Sequence, residues 1–379
     1  MATRLSIIFV LKLRAMSVVI KPTSQISTIV VRDVSVSASI FLSVAGKKIY
    51  NGNITAPAID GVATFYNIRE LIEAELEETS KSMAFVYIEA FDETGTPKLR
   101  SEFYAVYLKH QFFGSFSAFL KRNFLSTRKS KKLAFNASER LTYIVADGES
   151  PSFILRITYV TTTGAVRTGT TTMTDTTVSS EAGKATCGEY DFDYTIAEFY
   201  AGDFADYGGK VLAVSIQLGE RYYSLYFLDF PYTMTLMFLN AFNAFETVHI
   251  VGKTTVKSKI ESSLAVGLNQ SYQYDMRFEK TYETETAALT EQELKWFDQI
   301  LSSRYVRLVD FGNREENPFA DGATLLITDS SCEVSDSDGE LQRVKFSWQF
   351  TENDPELGIG YVPVSTTDIF TDEYDIIFK

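Results

Sequence analysis

Histidine and cysteine are almost absent from the chain, with two of each in 379 residues. Cys187 and Cys332 lie 145 positions apart (332 − 187), so no disulfide framework is expected and reduced thiols fit intracellular synthesis. Together with His110 and His249 they give no zinc-ligand spacing. Neither histidine neighbours a GxSxG elbow or a reactive-cysteine pattern, and both are read as structural. Phosphate cradles of the GxGxxG or Walker type are missing as well. Asp336, Asp338 and Glu340 around Gly339 make only a fragment of a calcium loop and are read as a hairpin turn. Paired carboxylates such as Glu315-Glu316 are too common here to single out a glycosidase pair, which depends on a measured separation. The expectation is a chain without enzyme activity, cofactor, metal site or small-molecule substrate.

Long apolar runs are lacking too. The best stretch, Phe230 to Phe245, contains Pro231 and Asn240 and falls short of the ~20 apolar residues of a spanning helix. Arg4 before Leu5 to Leu11 looks like the start of a signal peptide, but Lys12 and Arg14 close the run early. Leu5, Ile7, Phe9, Leu11 and Leu13 alternate instead, which predicts a first strand. Basic charge is outnumbered, 36 Lys and Arg against 49 Asp and Glu. The net charge of −13 argues against nucleic acid as the main partner, since phosphate binding needs a dominant basic face.

Aromatics are plentiful, with 29 Phe and 21 Tyr, and such side chains pack well on pleated surfaces. The length suggests two or three domains. Val34, Val36, Ala38, Ile40, Leu42 and Val44 alternate with serines, as an antiparallel strand with one wet face would. Asn51-Gly52 and Asp60-Gly61 mark turns, Tyr104, Val106 and Leu108 mark a further strand, and Asn67 is placed to cap a helix over Ile68 to Glu78. Residues 1–110 are therefore read as a β-domain with one helix. Residues 111–132 form a Phe-rich basic connector, with a short helix and then an exposed linker at Arg128, Lys129, Lys131 and Lys132. Residues 133–228, Thr-rich and poor in helix formers, are read as a second β-domain, with a turn at Gly208-Gly209. In residues 229–379, Thr290 and Glu293 form a capping box and Leu289 with Leu294 a hydrophobic staple, predicting a helix to about Ser303 that buries Leu294, Phe297 and Leu301. Val344, Phe346, Trp348 and Phe350 alternate as a strand after the Asp338-Gly339 turn. The fold class is mainly β with a few short helices, in two or three consecutive sandwich- or barrel-like domains.

Three stretches carry a resemblance. They are LYFLDFPYTMTLMFLNAFNAFETVHIVGK at Leu225 to Lys253, LTEQELKWFDQILSSRYVRL at Leu289 to Leu308, and LLITDSSCEVSDSDGELQRVKFSWQF at Leu325 to Phe350. In that order they resemble uncharacterised tail-associated structural proteins of Bacteroidota phages and prophages, over about half the chain. The connector GSFSAFLKRNFLSTRKSKKL resembles the short bridge between β-domains in those proteins, without their proline. Asn243-Ala244 stands where a glycine is usual, and the residues after Pro355 are an extension. The resemblance implies a virion protein made in the bacterial host cytoplasm, a tail, baseplate or tail-hub subunit. Its partners would be copies of itself and other virion proteins, and it carries over no catalytic residue.

Two functions stay open, an assembly subunit and a carbohydrate- or receptor-binding adhesin. Most aromatics sit on alternating strand faces or in the Phe112 to Phe124 connector, which favours assembly, and the charge is polarised. Pro97 to Lys132 holds nine bases against one acid, and Asp310 to Lys379 sixteen acids against four bases. The basic run Arg128, Lys129, Lys131 and Lys132 is the candidate interface, meeting the acidic region of the next subunit head to tail.

Overall fold

The computed structural model describes residues 18–26, 28–49, 54–146, 148, 151–266, 271–310, 324–331 and 342–351. The strand expected at Leu5 to Leu13, the Asn51-Gly52 and Asp338-Gly339 turns and most of the acidic C-terminal region lie outside these residues. The chain is mainly β, with four α-helices among the described residues.

The first unit holds β1 (Ile20–Pro22), β2 (Ile29–Arg32), β3 (Ser37–Val44), β4 (Lys47–Lys48), β5 (Ile54–Ile59), β6 (Val62–Phe65), β7 (Met83–Asp92) and β8 (Pro97–Val106), with α1 (Ile68–Glu78) between β6 and β7. They form one eight-stranded sheet in the order β1-β8-β7-β3-β5-β6-β2, with β4 beside β3. The period of two places Ala38, Ile40, Leu42 and Val44 of β3 in the core with Ile68, Ile72 and Leu76 of α1. Val36 departs from the pattern: it precedes β3 and is 68% exposed. On β8 the inward residues of this core are Phe103 and Ala105, not Tyr104. Asp60 and Gly61 both have positive φ, as a two-residue turn between β5 and β6 requires. Asn67 makes no side-chain cap; it is itself left-handed at φ 61°, so its side chain does not serve α1 as expected.

After α2 (Phe116–Arg122), capped by Ser115, come β9 (Ser130–Leu133), β10 (Ser138–Ala146), β11 (Ser152–Thr161), β12 (Val166–Thr174), β13 (Ala185–Asp193), α3 (Tyr194–Ala201), β14 (Tyr207–Leu218) and β15 (Arg221–Phe227). A five-stranded sheet, β12-β11-β14-β15-β9, faces the β10-β13 pair. Phe153, Leu155, Ile157 and Tyr223 of one layer share a core with Tyr143 and Phe192 of the other, which makes a sandwich. Gly208-Gly209 is not a turn. The two residues sit in β14 at a break in its register with β11, where a Cβ on Gly208 would lie 2.4 Å from the Thr161 carbonyl oxygen.

The third unit has β16 (Met234–Leu239), β17 (Phe245–Ile250), β18 (Gly252–Val266), β19 (Ser271–Thr286), α4 (Glu291–Leu301), β20 (Val306–Asp310), β21 (Thr324–Ser331) and β22 (Lys345–Phe350), in the sheet order β17-β16-β20-β21-β22-β19-β18. Phe230 to Phe245 is thus turn and strand, and among the described residues no helix is long and apolar enough to cross a membrane. The box at the start of α4 is as read: Thr290 Oγ1 accepts from the Glu293 N–H at 3.4 Å, and Glu293 Oε2 accepts from the Thr290 N–H at 2.9 Å. Leu294, Phe297 and Ile300 point into the core, while Leu301 is only partly buried. Thr290→Ala should lower stability by about 1 kcal/mol. Urea unfolding followed by tryptophan fluorescence checks this directly, because Trp296 lies in α4; an unchanged midpoint would show that the cap does not hold the helix.

A fourth core ties the units together. Met83 and Val106 of the first unit, Phe116 and Leu120 of α2, Ile144 and Ala185 of the second and Phe242 of the third are buried against one another.

Candidate functional site

The basic run is not an exposed linker. Residues 130–133 are β9, paired parallel with β15 at the edge of the five-stranded sheet. Side chains on a strand alternate, so Lys131 and Leu133 point inward and Ser130 and Lys132 outward, while Lys129, just before the strand, is exposed. Lys131 is 7% exposed. The four residues predicted as one patch are therefore divided: Lys129 and Lys132 are exposed, Arg128 is half-buried with its guanidinium 4.7 Å from the Trp296 ring centroid, and Lys131 is enclosed.

Inside, Lys131 meets residues that sequence reasoning passed over. Its ammonium lies 2.6 Å from Glu139 Oε1 and donates to the Thr247 carbonyl at 2.5 Å. Glu139, fully buried on β10, accepts from the Thr247 N–H at 3.1 Å and from the Tyr223 hydroxyl at 3.3 Å. Next to it Glu246, also buried, accepts from Asn240 Nδ2 at 2.7 Å and from the Trp296 indole N–H at 3.1 Å. Burial pushes the Glu139 carboxyl up to about 7; the nearby Glu246 charge adds to this, and Lys131 opposes it. Burial, with the two carboxylates beside it, also raises the Tyr223 phenol well above its ordinary value. The node links β9, β10, β15, β17 and α4. It joins the second and third units through charge-assisted hydrogen bonds that are sealed from solvent.

Outward from the node opens a groove of about 550 Å³ between the second and third units. Arg128, Lys131 and Lys132 line one side; Phe230, Val248 and Trp296 belong to the apolar remainder. Tyr226, Leu228 and Val251 on its lip are exposed. Arg128 and Lys132 form no ion pair with a described carboxylate, so the groove carries two uncompensated cations over apolar walls. Its one acidic side chain, Glu293, is engaged by Thr290 at the start of α4.

His249, also on the wall, accepts from the Ala134 N–H at Nε2 (3.2 Å) and lies 2.8 Å from Thr235 Oγ1 at Nδ1. The acceptor role of Nε2 leaves the proton on Nδ1 and makes the ring a bridge between the two units. Cys187 is partly buried, and burial pushes its thiol up to about 12, far from the reactive thiolate range. Among the described residues no group of three or more His, Cys, Asp or Glu is placed to hold a metal ion. What the groove can do chemically is bind: it offers desolvated apolar surface beside fixed positive charge. No family model matches the chain, and no curated protein matches it.

Proposed function

We propose that the chain is a non-catalytic structural subunit of a phage tail, baseplate or tail hub, acting through contacts with copies of itself and with other virion proteins. The observation that supports this most is the ribbon made by β18 and β19. These strands are the longest described, at 15 and 16 residues, and pair from Gly252–Thr286 to Val266–Ser271. A third strand, β22, accompanies β19 only from Tyr282 to Glu285. Beyond Tyr282 the ribbon has two strands and, among the described residues, no third strand paired to either edge. A two-stranded hairpin is marginally stable in water by itself, and unpaired edges are templates for further pairing. Such an arm is suited to completing its structure on another chain.

The adhesin reading would gain from an aromatic cluster at one end of a sandwich. Among the described residues the most exposed aromatics, Tyr66, Phe113 and Phe199, instead stand on different parts of the fold. Other described rings pack within the chain, as in the Tyr143–Phe153–Phe192 group.

The test is a shortened arm. Excising residues 258–280 and joining Lys257 to Thr281, which face each other, with an Asn-Gly turn keeps the pairing with β22. Full-length protein should form rings or tubes in negative-stain images and grow in light scattering as concentration rises. The shortened protein should stay monomeric and melt as before. A full-length protein that remains monomeric throughout would sink the assembly reading.

A further inference from the structure

We propose that the groove between the second and third units is the docking site for an acidic, aromatic segment of the same chain, residues Asp368 to Phe378. This does not depend on the assembly reading.

The groove asks for a ligand of definite chemistry. Its walls are apolar, its lip exposes Tyr226, Leu228 and Val251, and its charge comes from Arg128 and Lys132. An occupant that matches it carries large apolar side chains with carboxylates between them. Residues 352–379 lie outside the described residues, and within them Asp368 to Phe378 reads DIFTDEYDIIF. Its four carboxylates, Asp368, Asp372, Glu373 and Asp375, have no basic residue among them. Between them stand Phe370 and Tyr374, with Ile376, Ile377 and Phe378 following. A pocket of this size holds several side chains, and burying aromatics there would remove the exposed lip from water.

Reach favours docking within one chain. Thr286, on the groove wall, donates its N–H to the Val344 carbonyl, which places the start of β22 at the groove. From Val344 to Thr351 is seven residues along a strand (351 − 344), or about 24 Å. From Thr351 to Asp368 is seventeen residues (368 − 351), and a random chain of that length has a root-mean-square span of roughly 23 Å. Effective concentration is highest when tether and span match, so the chain's own segment outcompetes another copy's at ordinary protein concentrations.

The experiment uses the full chain with p-benzoylphenylalanine in place of Phe370 or, separately, Tyr374, irradiated at low concentration. Cross-links should map to residues 226–231, 248–251 or 289–297 and run at monomer mass on a denaturing gel. Arg128→Glu with Lys132→Glu should lower the yield several-fold, while Lys129→Glu, outside the groove, leaves it unchanged. Cross-links confined to other surfaces, or to a second copy, would overturn the proposal, as would a yield indifferent to the two groove cations. The shortened arm described above leaves the cross-link intact, so the two proposals fail separately.

Discussion

Lys131→Met should destabilise the protein by about 3–5 kcal/mol above pH 7, where Glu139 is ionised, and Glu139→Gln by clearly less, because burial already favours the neutral form of that side chain. Removing the lysine leaves a buried carboxylate without its cation, which is the costly way to break such a pair. In Lys131→Met, Glu139 keeps the Thr247 N–H and the Tyr223 hydroxyl but faces Glu246 with no cation between them. In Glu139→Gln, the ammonium keeps only the Thr247 carbonyl among its close partners and the more distant Trp296 face. The double variant Lys131→Met/Glu139→Gln removes both charges and retains an amide oxygen for the Thr247 N–H. It should recover most of the loss, because replacing a whole buried pair is far cheaper than halving it. Urea midpoints for the four proteins give the coupling. Additive losses in the double variant would mean that the two charges do not depend on each other.

The same node sets a pH dependence with an unusual sign for a carboxylate. The folded-state value of Glu139 is raised from the ordinary 4.5 to about 7, so between those limits the native state binds more protons than the unfolded chain. Stability from this group is therefore greatest below 4.5 and declines as pH rises to about 7. Wild-type protein should lose urea stability across that window. Glu139→Gln should lose this component of the slope, and a variant with the wild-type slope would place the titration elsewhere.

What the sequence made legible was local. The capping box of α4 shows because its two partners are three residues apart, and Ala38, Ile40, Leu42 and Val44 show because one strand fixes their face. Thr-rich segments without helix formers read as strands, and β11 and β12 form such a hairpin. The node stayed hidden because its contacts are distant in sequence: Lys131 reaches Thr247 across 116 positions, and Glu246 meets Trp296 across 50. Four cations in five residues read as solvated unless β9 is recognised, and β9 gains its strand character only from β15. One signal was available. Glu139 and Glu246 each stand in a run of strand-forming residues, where a lone acid needs a partner. The divided run also decides how a head-to-tail charge contact can be tested. Reversing Lys131 along with Arg128, Lys129 and Lys132 would unfold the junction and say nothing about a surface contact.

Phe242→Ala should cost about 3–5 kcal/mol, within the range for a buried phenylalanine, although the residue lies in a turn. The turn from Asn240 to Ala244 joins β16 to β17 and inserts between the units. Asn240 Oδ1 accepts from the Phe242 N–H at 2.8 Å and the Ala244 N–H at 3.2 Å, which shapes the turn. Asn243 takes φ 55°, a left-handed conformation that asparagine tolerates better than most residues. It is more than a substitute for glycine: its Nδ2 donates to the Leu76 and Lys81 carbonyls, both at 3.0 Å, at the C-terminal end of α1. Ser82 Oγ returns a bond to the Asn243 carbonyl at 3.0 Å. Arg304 adds a donor to the Glu77 carbonyl at 2.8 Å. The Leu76 and Glu77 carbonyls near the end of α1, which also accept from the Lys81 and Ser80 N–H groups, thus take further donors from the third unit, and Phe242 stacks on Phe119 of α2 at 5.4 Å between centroids. Truncating that ring opens the shared core where all three units meet. Both tryptophans, Trp296 and Trp348, belong to the third unit, so their fluorescence follows that unit alone, while protease cleavage in the first reports the other. Wild-type protein should give one coincident urea transition by the two probes. Phe242→Ala should separate them, the first unit opening at lower urea because α1 loses its distant donors. Coincident transitions with a loss under about 1 kcal/mol would show that the turn only covers the junction and does not couple it.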